Sequence, residues 1–364
     1  MSRFTDAVDE PAHGPLQPLP VIDWGRIGQQ APEHLPIKYA GPQAKLPKAE
    51  IVIITWTSAE WSAFDHVFLN SDTTRSQWAK EWRKNWHLYK RGAPHSTFSQ
   101  LWGYYQLVKI GDSRVLLFKA GAHLAHPPWI TGLTDMVRCI VEDAQPDRLY
   151  SIGTAGGSSV NESLGDVAIT NSAHIELKKP ENTHVDYNNQ SFTCENWFPP
   201  EKLLADTQKE LFFVMSNVVT HEELNFLLYK LHSTVDGSSK ITLNDLLNKP
   251  LSPDELHAPK ALPFKGKPLL TTDFYYIASG SAASEYVVLE MDDAVIAHEA
   301  GQLGVDYAFV RNISDTVVPS QTPGGSELSS EVRQGWSSLI YETFGLYTSF
   351  NGALTTWATV AGSK

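Results

Sequence analysis

The sequence predicts an α/β protein: a three-layer α/β/α sandwich with a central mixed sheet, an N-terminal arm and an inserted helical segment. Short β-rich runs alternate with amphipathic stretches from residue 50 onward, and the alternation resumes at about residue 267 after an interruption. Several predicted strands end in carboxylates or glycines, as in folds that bind ligands at the carboxyl ends of their strands. A hydrophobic content of 42% in 364 residues is enough for the core of such a domain.

The first 48 residues contain eight of the 22 prolines and few clusters of large apolar side chains. Because proline fixes φ and lacks a backbone N–H, residues 1–48 are expected to form an extended arm, neither a helix nor a central strand. The arm is either a disordered tail or a segment that docks on the domain or on a neighbouring subunit. Trp24, Ile37 and Tyr39 are the residues that suggest docking.

The α/β domain is expected over residues 49–350, with insertions at about 66–105 and 178–262 and a tail over 351–364. In its first half we predict the strand IVIITW, the helix SAEWSAFDHVF with Ser58 as N-cap, the amphipathic stretch SQWAKEWRKNWHLYKR, a hairpin that turns at Gly111-Asp112, the helix PWITGLTDMVRCIVEDA, and the strands DRLYSIGTAGG and DVAITNSAHIEL.

The second insertion loses the strict alternation of the sheet-forming segments. Helices are predicted there at EELNFLLYKLH, capped by Thr220, and at TLNDLLNK. The α/β pattern then returns with the strands PLLTTDFYYIA and YVVLEM, the helix DDAVIAHEAGQLG closed by Gly304, and the strand DYAFVRNISD. The final segment, SSEVRQGWSSLIYETFGLYTSFNGALTTWATV, predicts a long amphipathic helix that covers one face of the sheet.

Charge and composition argue against several partners. The formal net charge is −12, whereas nucleic-acid binding needs a basic surface, so no nucleic acid is expected to bind. No apolar run approaches the roughly 20 residues that span a bilayer, and the N-terminus lacks an apolar signal core, so no membrane partner is expected. Two cysteines, Cys139 and Cys194, do not make a secreted disulfide framework, which favours a cytoplasmic protein.

The common cofactor motifs do not occur in the sequence. The loop GTAGGSS lacks the G-x-G-x-x-G spacing of dinucleotide sites, and neither a P-loop nor a G-x-S-x-G nucleophile elbow is present. His123 and His126 are three residues apart, but two prolines follow and no third metal ligand is evident, which favours a surface or pocket-lining role. We therefore expect neither a cofactor nor a metal.

Five motifs follow one another at predicted strand ends: IVIITWTSAEW, IGTAGG, GDVAIT, VVLEMDDAVIAHEA and VRNISD. With them the sequence resembles the purine nucleoside phosphorylase and uridine phosphorylase superfamily, and most closely its methylthioadenosine/S-adenosylhomocysteine nucleosidase-like hydrolases. The resemblance covers residues 51–64, roughly 115–175 and 267–320. It implies a nucleoside phosphorylase-like fold that cleaves the N-glycosidic bond of a purine nucleoside or nucleotide.

The resemblance assigns the two catalytic carboxylates. Asp315 matches the acid that protonates the departing base at N7, a role that suits a partly desolvated carboxyl group. Glu60 matches the glutamate that positions the attacking water. Two carboxylates on opposite faces of a sugar are also the arrangement of direct displacement in glycosidases. Without the resemblance, Asp315 reads as a residue of a strand-end turn and Glu60 as a solvated helix residue.

The sugar-binding residues are also implied by the resemblance. Glu290-Met291-Asp292 matches the E-M-E motif of the family, so Met291 is expected to pack under the ribose and Asp292 to bind its hydroxyls. Asp292 is one methylene shorter than the glutamate of the family, which implies a closer sugar, a different sugar or an impaired site. Thr154 is expected on the sugar through its backbone.

The base-binding residues follow in the same way. Ala155 and Gly156 allow the backbone to approach a flat ring. Phe274 and Tyr275 lie where the family stacks the base, although plain packing of two aromatic residues explains them equally well. Ser314, beside the predicted acid, completes this set.

Two features favour water over phosphate as the nucleophile. The stretch FKAGAHLAHPP occupies the position of a phosphate-binding loop but contains no arginine, and Lys119 is its single cation. The glutamate of the hydrolase branch is present as Glu60. A phosphate-dependent phosphorylase and a non-catalytic nucleoside-binding or storage protein are the alternatives. The resemblance also implies a homo-oligomer.

The first insertion leaves the 5′ substituent of the substrate open. Its aromatic stretch reads either as an amphipathic helix with a solvated basic face or as a cationic wall near the 5′ end of the sugar, which suits a nucleotide. The basic residues of this stretch are Arg75, Lys80, Arg83, Lys84, Lys90 and Arg91.

Overall fold

The computed structural model describes residues 19–69, 86–94, 101–159, 161–196, 199–214, 221–242, 257–276, 283–318, 320–321 and 325–362. The strands in these residues are β1 (Glu33–His34), β2 (Ile51–Thr55), β3 (His87–Tyr89), β4 (Gly103–Ile110), β5 (Ser113–Ala120), β6 (Arg148–Gly157), β7 (Val167–Thr170), β8 (Ser172–Glu176), β9 (Ser191–Thr193), β10 (Ala261–Phe264), β11 (Leu269–Thr272), β12 (Val288–Glu290) and β13 (Asp306–Asp315). The α-helices are α1 (Ser58–Phe68), α2 (Trp129–Ala144), α3 (Glu201–Gln208), α4 (His221–Thr234), α5 (Asp293–Gln302) and α6 (Ser330–Ala361).

The centre of the sheet is parallel. Strand β6 has β2 on one side and β13 on the other, and all three run in the same direction. Near its carboxyl end β6 also pairs antiparallel with β12, which continues through β11 to β8. The sheet is therefore mixed, as predicted, and the carboxyl ends of β2, β6 and β13 meet at one edge, where such folds bind ligands.

Helices cover both faces of this sheet. On one face, α1 and α6 bury Phe64 and Phe344 in one hydrophobic cluster; on the other, α2 and α5 bury Leu133 and Val295 in a second. Full burial of an apolar side chain of this size contributes about 1.5–3 kcal/mol, so the two clusters hold the layers together. The predicted three-layer α/β/α sandwich is confirmed.

The described part of the arm lies against its own domain. Leu19 is fully buried in the cluster under α1 and α6, and the Trp24 ring meets the Trp357 ring edge-on with centroids 4.6 Å apart. Ile37 packs against the cluster on the opposite face, and the Tyr39 hydroxyl donates to the Leu88 carbonyl oxygen over 3.0 Å. From residue 19 onward the arm is thus docked on its own domain, and it includes a hydrogen-bonded turn at residues 23–29.

The second insertion adds helices to the α6 face. Helix α3 contributes Leu204 and helix α4 contributes Leu227 and Leu231 to the same cluster as Phe344. The predicted cap Thr220 and most of the predicted helix TLNDLLNK lie outside the described residues. So do four of the basic residues of the first insertion, namely Arg75, Lys80, Arg83 and Lys84.

Three local predictions are wrong. Helix α1 is capped by Thr57, one residue before the predicted Ser58. The segment DVAITNSAHIEL forms two strands, β7 and β8, which are separated at Asn171; the buried side-chain amide of Asn171 donates to the Cys194 carbonyl and accepts from the Gly266 N–H. Residues 351–361 are not a tail but the buried end of α6.

The end of α6 is buried although it is rich in hydroxyl groups. The hydroxyls of Thr356 and Thr359 donate to carbonyl oxygens four residues earlier over 2.8 Å, which satisfies them inside the helix. These bonds offset the cost of burying the two hydroxyls, whereas the buried hydroxyl of Thr355 has no hydrogen-bond partner among the described residues. Among the described helices, none is both long and apolar enough to cross a membrane.

Candidate active site

A cavity opens at the carboxyl ends of β2, β6, β12 and β13. It is lined by all eleven residues predicted for the site: Glu60, Thr154, Ala155, Gly156, Phe274, Tyr275, Glu290, Met291, Asp292, Ser314 and Asp315. His123, for which a surface or pocket-lining role was expected, also lines it. Seven further described lining residues had no assigned role: Trp56, Thr57, Thr272, Tyr276, Leu289, Arg311 and Tyr341. Glu60 and Asp315 therefore face one shared space.

Glu60 is fixed by the start of helix α1. It is the third residue of the helix, and with Thr57 it forms a capping box in which each side chain bonds to the backbone of the other. Glu60 Oε2 accepts from the backbone N–H groups of Trp56 and Thr57, each over 2.9 Å, and from the Thr55 hydroxyl over 3.4 Å. Glu60 is thus a buried residue, 3% exposed, and not the solvated helix residue that the sequence also allowed.

The other oxygen of Glu60 binds across the sheet edge. Glu60 Oε1 accepts from the Thr154 N–H over 2.8 Å and from the Thr154 hydroxyl over 2.7 Å. A carboxylate offers about four lone-pair sites, and here five donors point at them. In this arrangement a water molecule gains access to Oε1 only by taking the place of the Thr154 hydroxyl, which is the one short donor that can rotate away.

Asp315 lies on the opposite side of the glycine segment of β6. A Cβ atom added to Gly156 would stand 3.3 Å from Asp315 Oδ2, so glycine permits this close approach. Asp315 Oδ1 accepts from the Ser314 hydroxyl over 2.9 Å, and Oδ2 accepts from the Ser337 hydroxyl of α6. Burial raises the pKa of the Asp315 carboxyl, and the two serine hydroxyls oppose that rise.

Arg311 is the cation of the cavity lining, and two carboxylates hold it. Its guanidinium makes a bidentate pair with Asp293 and lies 3.1 Å from Glu290 Oε2. Burial works against its charge, but Asp293 and Glu290 outweigh burial, so the net effect raises the pKa of Arg311. The guanidinium also needs Gly153, since a Cβ atom there would lie 2.5 Å from Arg311 Nη1.

Glu290 serves this ion pair and the start of α5. Its carboxylate accepts from the backbone N–H groups of Asp292 and Asp293 and from the Thr271 hydroxyl. Burial and the neighbouring charge of Asp293 raise the pKa of Glu290 to about 7, against the opposing effect of Arg311. Glu290 therefore reaches the cavity mainly as a support for α5 and Arg311.

Asp292 is bound to the loop that follows β5. Its Oδ1 accepts from the Leu124 N–H over 2.9 Å, and its Oδ2 lies 3.2 Å from His123 Nε2. Because the Ala125 N–H donates to His123 Nδ1 over 3.0 Å, the neutral ring carries its proton on Nε2 and donates it to Asp292. Each oxygen of the shortened carboxylate thus already accepts one hydrogen bond from the chain.

The predicted histidine pair lies beside this carboxylate. The ring centroids of His123 and His126 are 5.5 Å apart, and His123 lines the cavity. Within the described ranges, no group of three or more histidine, cysteine or acidic side chains is arranged to hold a metal ion. Burial, followed by His126, lowers the pKa of His123 to about 3.

The predicted base-binding residues occupy the segment after β11 and the end of β6. Phe274 faces the cavity on one side, and the Lys178 ammonium lies 4.0 Å from its ring centroid on another. Tyr275 lines the cavity as well, but its hydroxyl is 2.6 Å from the Ser337 hydroxyl of α6. The phenol of Tyr275 is therefore tied to the residue that holds Asp315.

Sequence reasoning missed the contribution of α6. Ser337 and Tyr341 lie 22 and 26 residues beyond Asp315, in a segment interpreted only as a covering helix. Arg311 lies within the quoted motif VRNISD but received no role. Its spacing of four residues from Asp315 would put both side chains on one face of a regular strand, but a β-bulge between Ile313 and Asp315 breaks that alternation, so the sequence offered no reliable signal for Arg311.

No protein-family profile and no curated protein matches the sequence. Among solved structures, the chain is similar to the 5′-methylthioadenosine/S-adenosylhomocysteine nucleosidase of Neisseria meningitidis in complex with methylthio-immucillin-A, at 13% identity and a TM-score of 0.45, covering 86% of this chain and 99% of that one. It is also similar to the futalosine hydrolase of Helicobacter pylori, at 10% identity and a TM-score of 0.45, covering 85% and 96%.

Proposed function

We propose that this protein hydrolyses the N-glycosidic bond of a purine nucleoside, releasing the free base and the sugar. The observation that carries the proposal is the placement of two buried carboxylates, Glu60 and Asp315, in one cavity at the carboxyl ends of parallel strands. One of them has the surroundings of a proton donor and the other those of a fixed acceptor.

Asp315 supplies the proton. Departure of a purine requires protonation of the ring, and a carboxyl group transfers a proton most effectively when its pKa approaches the working pH. Burial shifts the pKa of Asp315 in that direction. Ala155 and Gly156 leave the space beside this carboxyl group open to a flat ring.

Glu60 receives the proton of the attacking water. The water would take the place of the Thr154 hydroxyl at Oε1, while the backbone donors at Oε2 keep the carboxylate in position. Attack on the anomeric carbon forms the new C–O bond as the bond to the base breaks. The water proton passes to Glu60, and the base leaves with the proton from Asp315.

The charge of the cavity supports hydrolysis over phosphorolysis. Among the described lining residues, Arg311 is the one guanidinium, and it is already paired with Asp293 and Glu290. A paired guanidinium is a poor site for inorganic phosphate, and the Glu60 carboxylate disfavours an anion while it stabilises an oxocarbenium-like sugar. Lys119, the cation considered for phosphate, is buried with its ammonium 5.9 Å from the Trp61 ring centroid and is not among the cavity-lining residues described.

The same charge distribution favours a neutral nucleoside over a nucleotide. Arg91, one of the two described basic residues of the first insertion, is paired with the buried Asp143 of α2 and is not among the described cavity-lining residues. The neutral substrate is therefore the first choice within the purine class.

One observation supports a second candidate, a nucleoside-binding protein without turnover. Both oxygens of Glu60 are already bonded to the chain, so the carboxylate has a complete structural role in the helix cap. In a protein that only binds nucleosides, the Thr154 hydroxyl would stay on Oε1 and no water would reach it.

Incubation with a panel of purine nucleosides and 5′-nucleotides, with free base measured by chromatography, separates these functions. Hydrolysis predicts base release that does not depend on phosphate and favours the nucleosides. Release only with phosphate indicates a phosphorylase. Nucleoside binding by calorimetry without release of the base indicates a binding protein. Faster release of the base from 5′-nucleotides than from nucleosides would show that the substrate is a nucleotide.

A further inference from the structure

We infer that Ser337 and Tyr275 form a hydroxyl relay that holds the Asp315 carboxylate and sets its acid strength. The inference rests on the proposed function, because it explains how the predicted acid is adjusted. Both residues act through Asp315, so they are positioning residues.

While Asp315 is ionised, the hydrogen bonds of the relay run in one direction. A serine hydroxyl has one proton, and Ser337 directs it to Asp315 Oδ2. In the contact of 2.6 Å between the Tyr275 and Ser337 hydroxyls, the phenolic proton is then the one available, and Ser338 is a second hydroxyl beside the same phenol. In the relay we assign, Tyr275 donates to Ser337 and Ser337 donates to Asp315. Chains of hydroxyl groups arranged in this way polarise one another, which strengthens the last bond.

The relay joins three separate parts of the fold. Tyr275 follows β11, Ser337 belongs to α6 and Asp315 ends β13. Ser337 is fully buried and Asp315 is 9% exposed, so the bond between them operates away from bulk water. Of the two serines that hold the acid, Ser314 also lies 3.4 Å from the Ala155 carbonyl oxygen and can turn to it when Asp315 is protonated.

The other groups around Asp315 do not replace the relay. Tyr341 on α6 is a second phenol whose ionisation is linked to Asp315, and burial raises its pKa. On β13 itself, Arg311 is directed at Asp293, and after β6 the Glu162 carboxylate is bonded to Ser158. Ser337 is thus the donor from α6 that bonds Asp315 directly.

Removal of the relay should shift the pKa of Asp315 in one direction. A hydroxyl that donates to a carboxylate stabilises the ionised form, and Ser337 opposes the burial that raises the pKa of Asp315. The variant Ser337→Ala should therefore move this pKa upward. Tyr275→Phe keeps Ser337 but removes the donor behind it, so it should cause a smaller shift in the same direction.

The decisive measurement is a carbon-13 NMR titration of protein labelled at the aspartate carboxyl carbons, with Asp315→Asn used to assign the resonance. We expect the midpoint of Asp315 to rise in Ser337→Ala and to rise less in Tyr275→Phe. Ser349→Ala is the matched control, because Ser349 is a buried serine of the same helix whose hydroxyl has no partner among the described residues. In Ser349→Ala, the titration midpoint of Asp315 should equal that of the wild type.

Activity provides a second readout. Turnover requires protonated Asp315, so kcat/KM falls as pH rises through its pKa, and Ser337→Ala should move that fall to higher pH. The plateau of kcat should drop by about tenfold from lost orientation, with KM within about twofold. Ser337→Thr, which keeps the hydroxyl, should recover the wild-type pH profile.

The two proposals fail separately. Wild-type turnover in Asp315→Asn would remove the proposed acid. An unchanged or lowered Asp315 midpoint in Ser337→Ala would overturn the relay alone, and because the titration needs no turnover, it gives this answer even in a protein that only binds nucleosides.

Discussion

Glu60 and Asp315 are both buried carboxyl groups of one cavity, yet their surroundings differ in kind. Glu60 is held largely by backbone N–H groups that are fixed by the helix cap and the sheet edge. Asp315 is held by two serine hydroxyls, which can rotate. A carboxylate surrounded by fixed donors stays an acceptor, whereas one surrounded by rotatable hydroxyls can take up a proton and release it.

The largest effect is expected from removal of the acid. Asp315→Asn should reduce kcat by about a thousandfold while ligand binding remains measurable, because the amide keeps the shape but cannot protonate the base. Steady-state kinetics and calorimetry provide the measurement. Asp206→Asn, which breaks an exposed pair with Lys202, should behave as the wild type.

Glu60→Gln should have the next largest effect, and it should affect both activity and folding. The amide nitrogen of glutamine would face N–H donors at one of the two oxygen positions, which should lower the free energy of unfolding by about 2 kcal/mol. Loss of the proton acceptor should reduce kcat by about a hundredfold. Chemical denaturation and kinetics test both, and a variant of wild-type stability and rate would show that neither the helix cap nor turnover needs the carboxylate.

A third test compares Asp315→Asn with the wild type in stability across pH. A carboxyl group whose pKa is raised by folding binds its proton more tightly in the native state, so the stability it contributes is present below its unfolded pKa and lost as pH rises through its folded pKa. The variant has no ionisable group at this position, so its stability does not change with pH in this way. Its free energy of unfolding should therefore rise relative to that of the wild type as pH increases above about 4, and a constant difference would contradict the raised pKa.

The smallest expected effect is the absence of a protonation change at His123. Burial lowers its pKa to about 3, so the imidazole should remain neutral, with its proton on Nε2 facing Asp292, from about pH 8 down to about pH 5. Nitrogen-15 NMR of the ring should show no titration in that range. A midpoint near the ordinary histidine value would instead indicate an ion pair with Asp292.

Much of the site could be predicted from local sequence because the central strands are parallel. The motifs around Glu60, Thr154 and Asp315 each end a strand, and parallel neighbours bring those ends to one edge. The same reasoning could not show that Asp292 is bound by Leu124 and His123, since these residues come from a loop 168 positions away in the chain.

The sequence by itself determined the strand ends that carry the carboxylates, the alternation of strands and helices, and the composition of both apolar faces, because these depend on short-range patterns. Only the tertiary structure decided the number and kind of donors around each carboxylate. Glu60 acquires part of its hydrogen bonding from Thr154 in another strand, and Asp315 acquires Ser337 from the last helix. Acid strength depends on burial and on such distant partners, and these exist only after the chain has folded.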